Sequence, residues 1–174
     1  MTRHYAGIIK NDVVNGNGVC VSLFLQGCPI HCKGCHNEQD WDFNEGLELP
    51  DNYLEILDSA ITANGLQRNF SLLGGEPFCN ENLDLTLEIL SHMRDKFPKI
   101  DICAWSGYTY ETLISRNDSR IQKIFSIIDV LVDGPFQLEN RDVTLKMRGS
   151  TNQRIIDMRS TLKSKEVVLK HYED

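Results

Sequence analysis

Asn69-Phe70-Ser71-Leu72-Leu73-Gly74-Gly75-Glu76-Pro77 is a short, largely apolar run that stops at two glycines and a proline. Beyond it, Leu83, Leu87, Leu90, Met93 and Phe97 recur three or four residues apart. That spacing marks one face of a helix, and Pro98, which has no N–H to donate, ends it. Residues 100–105 are again apolar and extended in character. Strand, helix and strand in succession predict a βαβ unit, and therefore two parallel strands joined by a right-handed crossover.

The same alternation extends outward in both directions. Upstream, residues 19–25 read as a buried strand and residues 51–64 as a helix. Leu54, Leu57 and Ile61 lie on one face of that helix, and Asn64-Gly65 supplies the stop. Residues 5–9 read as a short first strand, followed by a turn-rich segment, 11–18. Downstream, residues 110–116 and 120–125 read as short helical pieces. Residues 127–132 read as a strand closed by Asp133-Gly134-Pro135, and residues 154–157 as a candidate last strand. The class is α/β with a mostly parallel sheet. A closed eight-unit barrel takes about 250 residues, so a chain of 174 residues has room for about five or six units. An open, partial (β/α) barrel or a doubly wound sheet remains.

With 41% hydrophobic residues and no repeat or linker, residues 1–174 are expected to form one domain around one core. The net charge of −7, without a basic stripe, argues against a nucleic-acid partner. No apolar run reaches the roughly 18 residues of a membrane span. Met1-Thr2-Arg3-His4-Tyr5 is not followed by an apolar export segment. The expected location is the cytoplasm.

In parallel α/β sheets the loops leaving the C-terminal strand ends form the site. Four such loops are Gln26-Gly27-Cys28, Gly74-Gly75-Glu76-Pro77, Ser106-Gly107-Tyr108 and Asp133-Gly134-Pro135, and all are expected on one face. The first opens the aperiodic stretch that carries Cys28-Pro-Ile-His-Cys32-Lys-Gly-Cys35, with the cluster loop spanning 26–38. Cys20, Cys79 and Cys103 are dispersed among apolar residues and read as small buried hydrophobes.

Several chemistries use thiols at such spacings. A zinc site could take His31 or His36 as its fourth ligand, although structural zinc usually joins two separate chelating arms. Cys32-Lys33-Gly34-Cys35-His36 spells the c-type haem attachment motif, and Cys32 with Cys35 spells a redox disulfide. Both leave Cys28 unexplained. An iron–sulfur cube with three protein ligands uses all three thiols and keeps one iron open for a small molecule.

Cys28-x₃-Cys32-x₂-Cys35 resembles the radical S-adenosylmethionine signature, and Gly74-Gly75-Glu76-Pro77 resembles that superfamily's second motif. Further blocks are similar to the glycyl-radical activating proteins of anaerobic ribonucleoside-triphosphate reductases. They are Val14-Asn15-Gly16, Gly34-Cys35-His36-Asn37, Trp105-Ser106-Gly107-Tyr108, Leu131-Val132-Asp133-Gly134 and Arg148-Gly149-Ser150-Thr151-Asn152-Gln153. His36 stands where that family usually has Tyr. The resemblance implies the open (β/α) barrel of the radical S-adenosylmethionine type. It implies one 4Fe-4S cluster on Cys28, Cys32 and Cys35, with S-adenosylmethionine chelated to the fourth iron. It also implies one-electron cleavage of that cofactor to methionine and a 5′-deoxyadenosyl radical, which takes a hydrogen from a backbone glycine of the reductase. Gly34, Cys35 and His36 are then candidates for the adenine, Gly74, Gly75 and Glu76 for the ammonium, and Ser106 and Asp133 for ribose or methionine. A low-potential electron donor and a homodimer are further implied partners. Another small radical S-adenosylmethionine activase or modifying enzyme, and a non-catalytic zinc-binding module, are the alternatives.

Overall fold

The computed structural model describes residues 3–172; the outermost residues of the 1–174 span, Met1 and Thr2 of the leading segment among them, lie outside the described residues. Its strands are β1 (His4–Asp12), β2 (Cys20–Leu25), β3 (Leu47–Glu48), β4 (Asn69–Gly74), β5 (Ile102–Trp105), β6 (Val130–Asp133) and β7 (Arg154–Asp157). Its helices are α1 (Tyr53–Ile61), α2 (Asn80–Lys96), α3 (Tyr110–Ser115), α4 (Ser119–Ile127) and α5 (Met158–Ser164). The strands form one sheet in the order β3-β1-β2-β4-β5-β6-β7.

The parallel part is smaller than five or six units. β2, β4, β5 and β6 pair in parallel, while β1, β3 and β7 pair antiparallel at the two edges. At the β1 edge the cause is connection length. Only residues 13–19 separate β1 from β2, too few for a crossover, so the chain returns antiparallel. The strand expected at 127–132 begins at Val130, because Ile127 still closes α4. The helix expected over 51–64 is α1 followed by a 3₁₀ turn at Ala63–Gly65, in which Asn64 adopts φ 59°. The sheet is not closed.

Along the parallel strands the order β2-β4-β5-β6 never reverses. A doubly wound sheet reverses at a switch point; here the helices of successive crossovers stack on one face, α1 against α2 and α2 against α4. The core is therefore continuous on that face. Val21, Leu23 and Leu25 of β2, Phe70 and Leu72 of β4, and Ile102 and Ala104 of β5 meet Leu57, Ile61, Ile89, Leu90, Ile124 and Phe125 of the helices. The alternate strand residues point the other way. Cys103, Val130, Val132 and Ile155 form a second, smaller cluster against Trp105, Met147 and Tyr172. Cys20, Cys79 and Cys103 are buried free thiols, as their apolar surroundings predict.

At the end of β6 the Asp133 carboxylate is 1% exposed. It accepts from the Arg154 guanidinium of β7 and from the Tyr110 N–H at 2.7 Å. Arg154 also reaches Glu111 at 2.7 Å, which holds that carboxyl below its ordinary range. Arg154→Met should strand Asp133 with one donor, at a cost of about 2 kcal/mol. Urea unfolding of the apo chain measures it; an unchanged midpoint would show that the pair contributes nothing.

Candidate metal centre

The four expected loops do meet, and hydrogen bonds donated by backbone N–H groups chain them together. Gly75 N–H donates to Leu25 O and Glu76 N–H to Gly27 O, each at 2.8 Å. Gly107 N–H donates to Glu76 Oε2 at 2.7 Å, and Gly134 N–H to Tyr108 O at 3.2 Å. This follows from the register: parallel neighbours end side by side, so what leaves one strand touches what leaves the next.

The cysteine loop leaves β2 and is tied shut at its base. Gly27 N–H donates to Asp40 O at 2.7 Å and Cys28 N–H to Trp41 O at 3.0 Å. The buried Gln26 amide donates to Gln39 O and Asp42 O. Within the loop a tight turn carries Cys35 N–H onto Cys32 O at 3.1 Å, and Asn37 N–H donates to Cys35 Sγ at 3.4 Å. Cys28, Cys32 and Cys35 are free and half-buried. Burial pushes the Cys28 and Cys32 thiols up; N–H groups of Ile30 and His31 oppose it at Cys28, and that of Phe136 at Cys32. Bound metal reverses such a shift by taking the thiolate.

Of the two histidines weighed as zinc ligands, His31 lies flat on Trp41, with centroids 4.4 Å apart and planes at 13°. His36 packs against Phe136 at 5.9 Å. Among the described residues no three His, Cys, Asp or Glu side chains are grouped to hold a single ion. A cube asks for something different, one thiolate on each of three separate irons. The donor set, three free thiols on one short tied loop, fits that group. Two buried donors close by, Trp41 Nε1 and Arg148 Nε, have no protein partner; acceptor atoms of a bound group would satisfy them.

Cys35 and His36 line a cleft of about 490 Å³ on the face opposite the helices, together with Phe24, Leu73, Trp105 and Arg148. Glu76, Ser106 and Asp133 are not among its lining residues. Glu76 is 1% exposed, and its Oε1 accepts from Phe78 N–H at 2.8 Å and Ser106 Oγ at 2.9 Å. Ser106 is thus spent on Glu76, and Glu76 on the first turn beyond β4 and the loop after β5. Gly74 and Gly75 also face the protein itself: a Cβ on Gly75 would stand 2.3 Å from Gly27 O, and one on Gly74 2.7 Å from Leu25 N and O.

Sequence reasoning missed Asn82. Its buried Nδ2 donates to Gln26 O, Gly27 O and Glu76 O, so one amide pins the cysteine loop to the glycine loop. A signal existed: Asn82 and Thr86 are polar residues one turn apart on the buried face of α2, where apolar side chains are the rule.

Burial pushes the Glu76 carboxyl from 4.5 up to about 7, against its three donors and Arg116. A raised folded value makes this group's stabilisation complete below about pH 4.5 and lost as pH rises through about 7. Apo stability should therefore fall across that window, and Glu76→Gln should flatten the fall. Urea unfolding at several pH values tests it; the same slope in both proteins would remove Glu76 as the cause.

A loop of three thiols at the strand ends of a singly wound α/β sheet is the setting of a single-cluster iron–sulfur protein, and a family model described as a 4Fe-4S single cluster domain matches residues 14–156. Curated relatives are named anaerobic ribonucleoside-triphosphate reductase-activating protein. The one from Vibrio cholerae is 39% identical over 149 residues, covering 83% of this chain and 91% of its own. That of Escherichia coli K12 is 35% identical over 153 residues, 85% of this chain and 94% of its own. The enterobacteria phage T4 protein is 32% identical over 152 residues, 87% and 92% of the two chains. The chain belongs to the family of anaerobic ribonucleoside-triphosphate reductase-activating proteins.

Proposed function

We propose that this chain is a radical S-adenosylmethionine activase that installs the glycyl radical on an anaerobic ribonucleoside-triphosphate reductase. The observation that carries it is the tied loop of three free, half-buried thiols beside a cleft at the meeting point of four strand ends. The helices stacked on one face of an unclosed sheet support the open (β/α) barrel of the radical S-adenosylmethionine type, with residues 1–174 as one domain.

Cys28, Cys32 and Cys35 would hold one 4Fe-4S cluster with three thiolates, which would leave one iron open to S-adenosylmethionine. When bound, the pair supplies one-electron reduction and hydrogen-atom abstraction; the protein supplies orientation and exclusion of water. Gly34, Cys35 and His36 face the nucleoside, and the strand-end carbonyls of Gly74 and Gly75 the ammonium. Glu76, Ser106 and Asp133 act on the cofactor through the loops they fix. Among the described residues no helix is long and apolar enough to cross a membrane, in keeping with work in the cytoplasm. A low-potential electron donor and a homodimer complete the reading.

Anaerobic reconstitution with iron and sulfide should give a reducible cluster that cleaves S-adenosylmethionine. Mixed with the reductase, the protein should produce a glycyl-radical EPR signal. A colourless, zinc-loaded protein without cleavage would end the proposal. Cleavage without a glycyl signal would move it to another radical S-adenosylmethionine reaction.

A further inference from the structure

Cys28 and Cys32 bracket an arc of the cysteine loop, Pro29-Ile30-His31, and a residue outside the motif grips that arc at both ends. Trp41 O accepts from Cys28 N–H at 3.0 Å. At the far end the His31 ring lies against the Trp41 indole, centroids 4.4 Å apart and planes 13° from parallel. Between the two, Ile30 is seated against the loop that leaves β5: a Cβ on Gly107 would stand 2.5 Å from Ile30 Cδ1.

The stack falls where the arc is least able to hold itself. His31 has φ 53°, in the left-handed region, where a residue with a Cβ is disfavoured. His31 is also exposed, while Trp41 is half-buried. Core packing therefore does not confine the His31 side chain, and the contact that does is with one aromatic ring fixed in the fold. Since Cys32 follows His31 directly, the ring contact helps to set where its Sγ stands relative to Cys28.

From this we infer that Trp41 is a positioning residue: by stacking on His31 and holding Cys28 N–H it keeps the Cys28–Cys32 arc in shape for the cluster and so slows the cluster's loss. The inference rests on the activase reading above. An arc already in its bound shape loses less conformational freedom on taking the cube than a loose one. Release runs the other way, through local opening of the loop, which breaks the stack. His31 thereby acts through its ring face and not as a metal ligand.

The test is the rate of iron release to bipyridine from the reconstituted full-length protein, kept anaerobic, without S-adenosylmethionine or reductase. His31→Gly removes the ring, while glycine's ease at this φ and its extra freedom in the opened loop roughly offset. It should release iron about fivefold faster, the factor to which an aromatic stack corresponds. Trp41→Leu should do the same, and Trp41→Phe, which keeps an aromatic face, should recover most of the retention. The double variant His31→Gly/Trp41→Leu should also be about fivefold faster and not about twenty-five-fold, because both substitutions delete one contact. Multiplying effects, or His31→Gly releasing iron at the wild-type rate, would overturn the inference alone. Because His31 is exposed, that variant decides the question if Trp41→Leu fails to fold. A His31→Gly protein that takes up no iron would make His31 a ligand and overturn the inference as well. A wild-type protein with no cubane EPR signal would overturn the activase reading, and the inference with it.

Discussion

Cys32→Ala should abolish activation of the reductase, by at least about a thousandfold, or about 4 kcal/mol of barrier, while leaving the apo fold in place. The two effects separate because the residue sits where chemistry and folding do not overlap. Cys32 is half-exposed on a loop closed by backbone bonds of Gly27 and Cys28 to Asp40 and Trp41, none of which involves its side chain. Removing the thiol should therefore change apo stability by no more than about 0.5 kcal/mol. A cube left with two protein thiolates is expected to be lost or degraded. Cys103→Ala is the opposite case. That thiol is 3% exposed within the smaller core cluster, so the variant should lose about 1 kcal/mol of stability and keep its iron. Iron content, EPR of the reduced cluster and thermal unfolding of the apo chain distinguish the pair. A Cys32→Ala protein with full iron and full activity would remove Cys32 from the ligand set.

The parts legible in the sequence were those with a period or a stop. α2 is marked by leucines at helical spacing and ended by Pro98, and β7 was bounded correctly by its apolar pair between charges. The convergence of four loops followed from strand direction alone. The antiparallel edges were not legible as a pattern, because β1 and β7 look like any other strand; the short 13–19 connection decides the direction of β1, whereas the 134–153 connection before β7 is long enough for either. β3 is two exposed residues, and α5 is short with few buried positions. In the site, the cysteines announce themselves by type and spacing. Asn82 does not, since it acts on a backbone carbonyl, that of Gly27, brought near only by the fold. Glu76 and Ser106 were visible as site-face residues, but their pairing with each other needs the adjacency of β4 and β5.

Gly75→Ala should destabilise the apo chain by about 4 kcal/mol, and the reason separates two explanations of the glycine pair. If the glycines serve only to let a ligand's ammonium approach the strand-end carbonyls, alanine would leave the apo protein untouched and weaken cofactor binding. The packing points elsewhere. An alanine Cβ would stand 2.3 Å from Gly27 O and 2.8 Å from Gly27 C, both backbone atoms that cannot swing aside. Relief requires moving residues 26–28. Gly27 O would then be pulled from Glu76 N–H at 2.8 Å and from Asn82 Nδ2 at 3.2 Å, and Cys28 would shift with it. Two hydrogen bonds and the strain of displacing a buried loop base make up the expected cost. Gly7→Ala is the control: nothing lies within 4 Å of its Cβ position, so it should be neutral or slightly stabilising. For a chain of this size, about 4 kcal/mol corresponds to a fall of about 8–16 °C in unfolding midpoint. Thermal unfolding of the apo variants measures it, and iron uptake should fall in Gly75→Ala alone. An unchanged apo midpoint with weakened S-adenosylmethionine binding would assign the glycine to the ligand; a large drop before any cofactor is added assigns it to the junction that seats the cysteine loop.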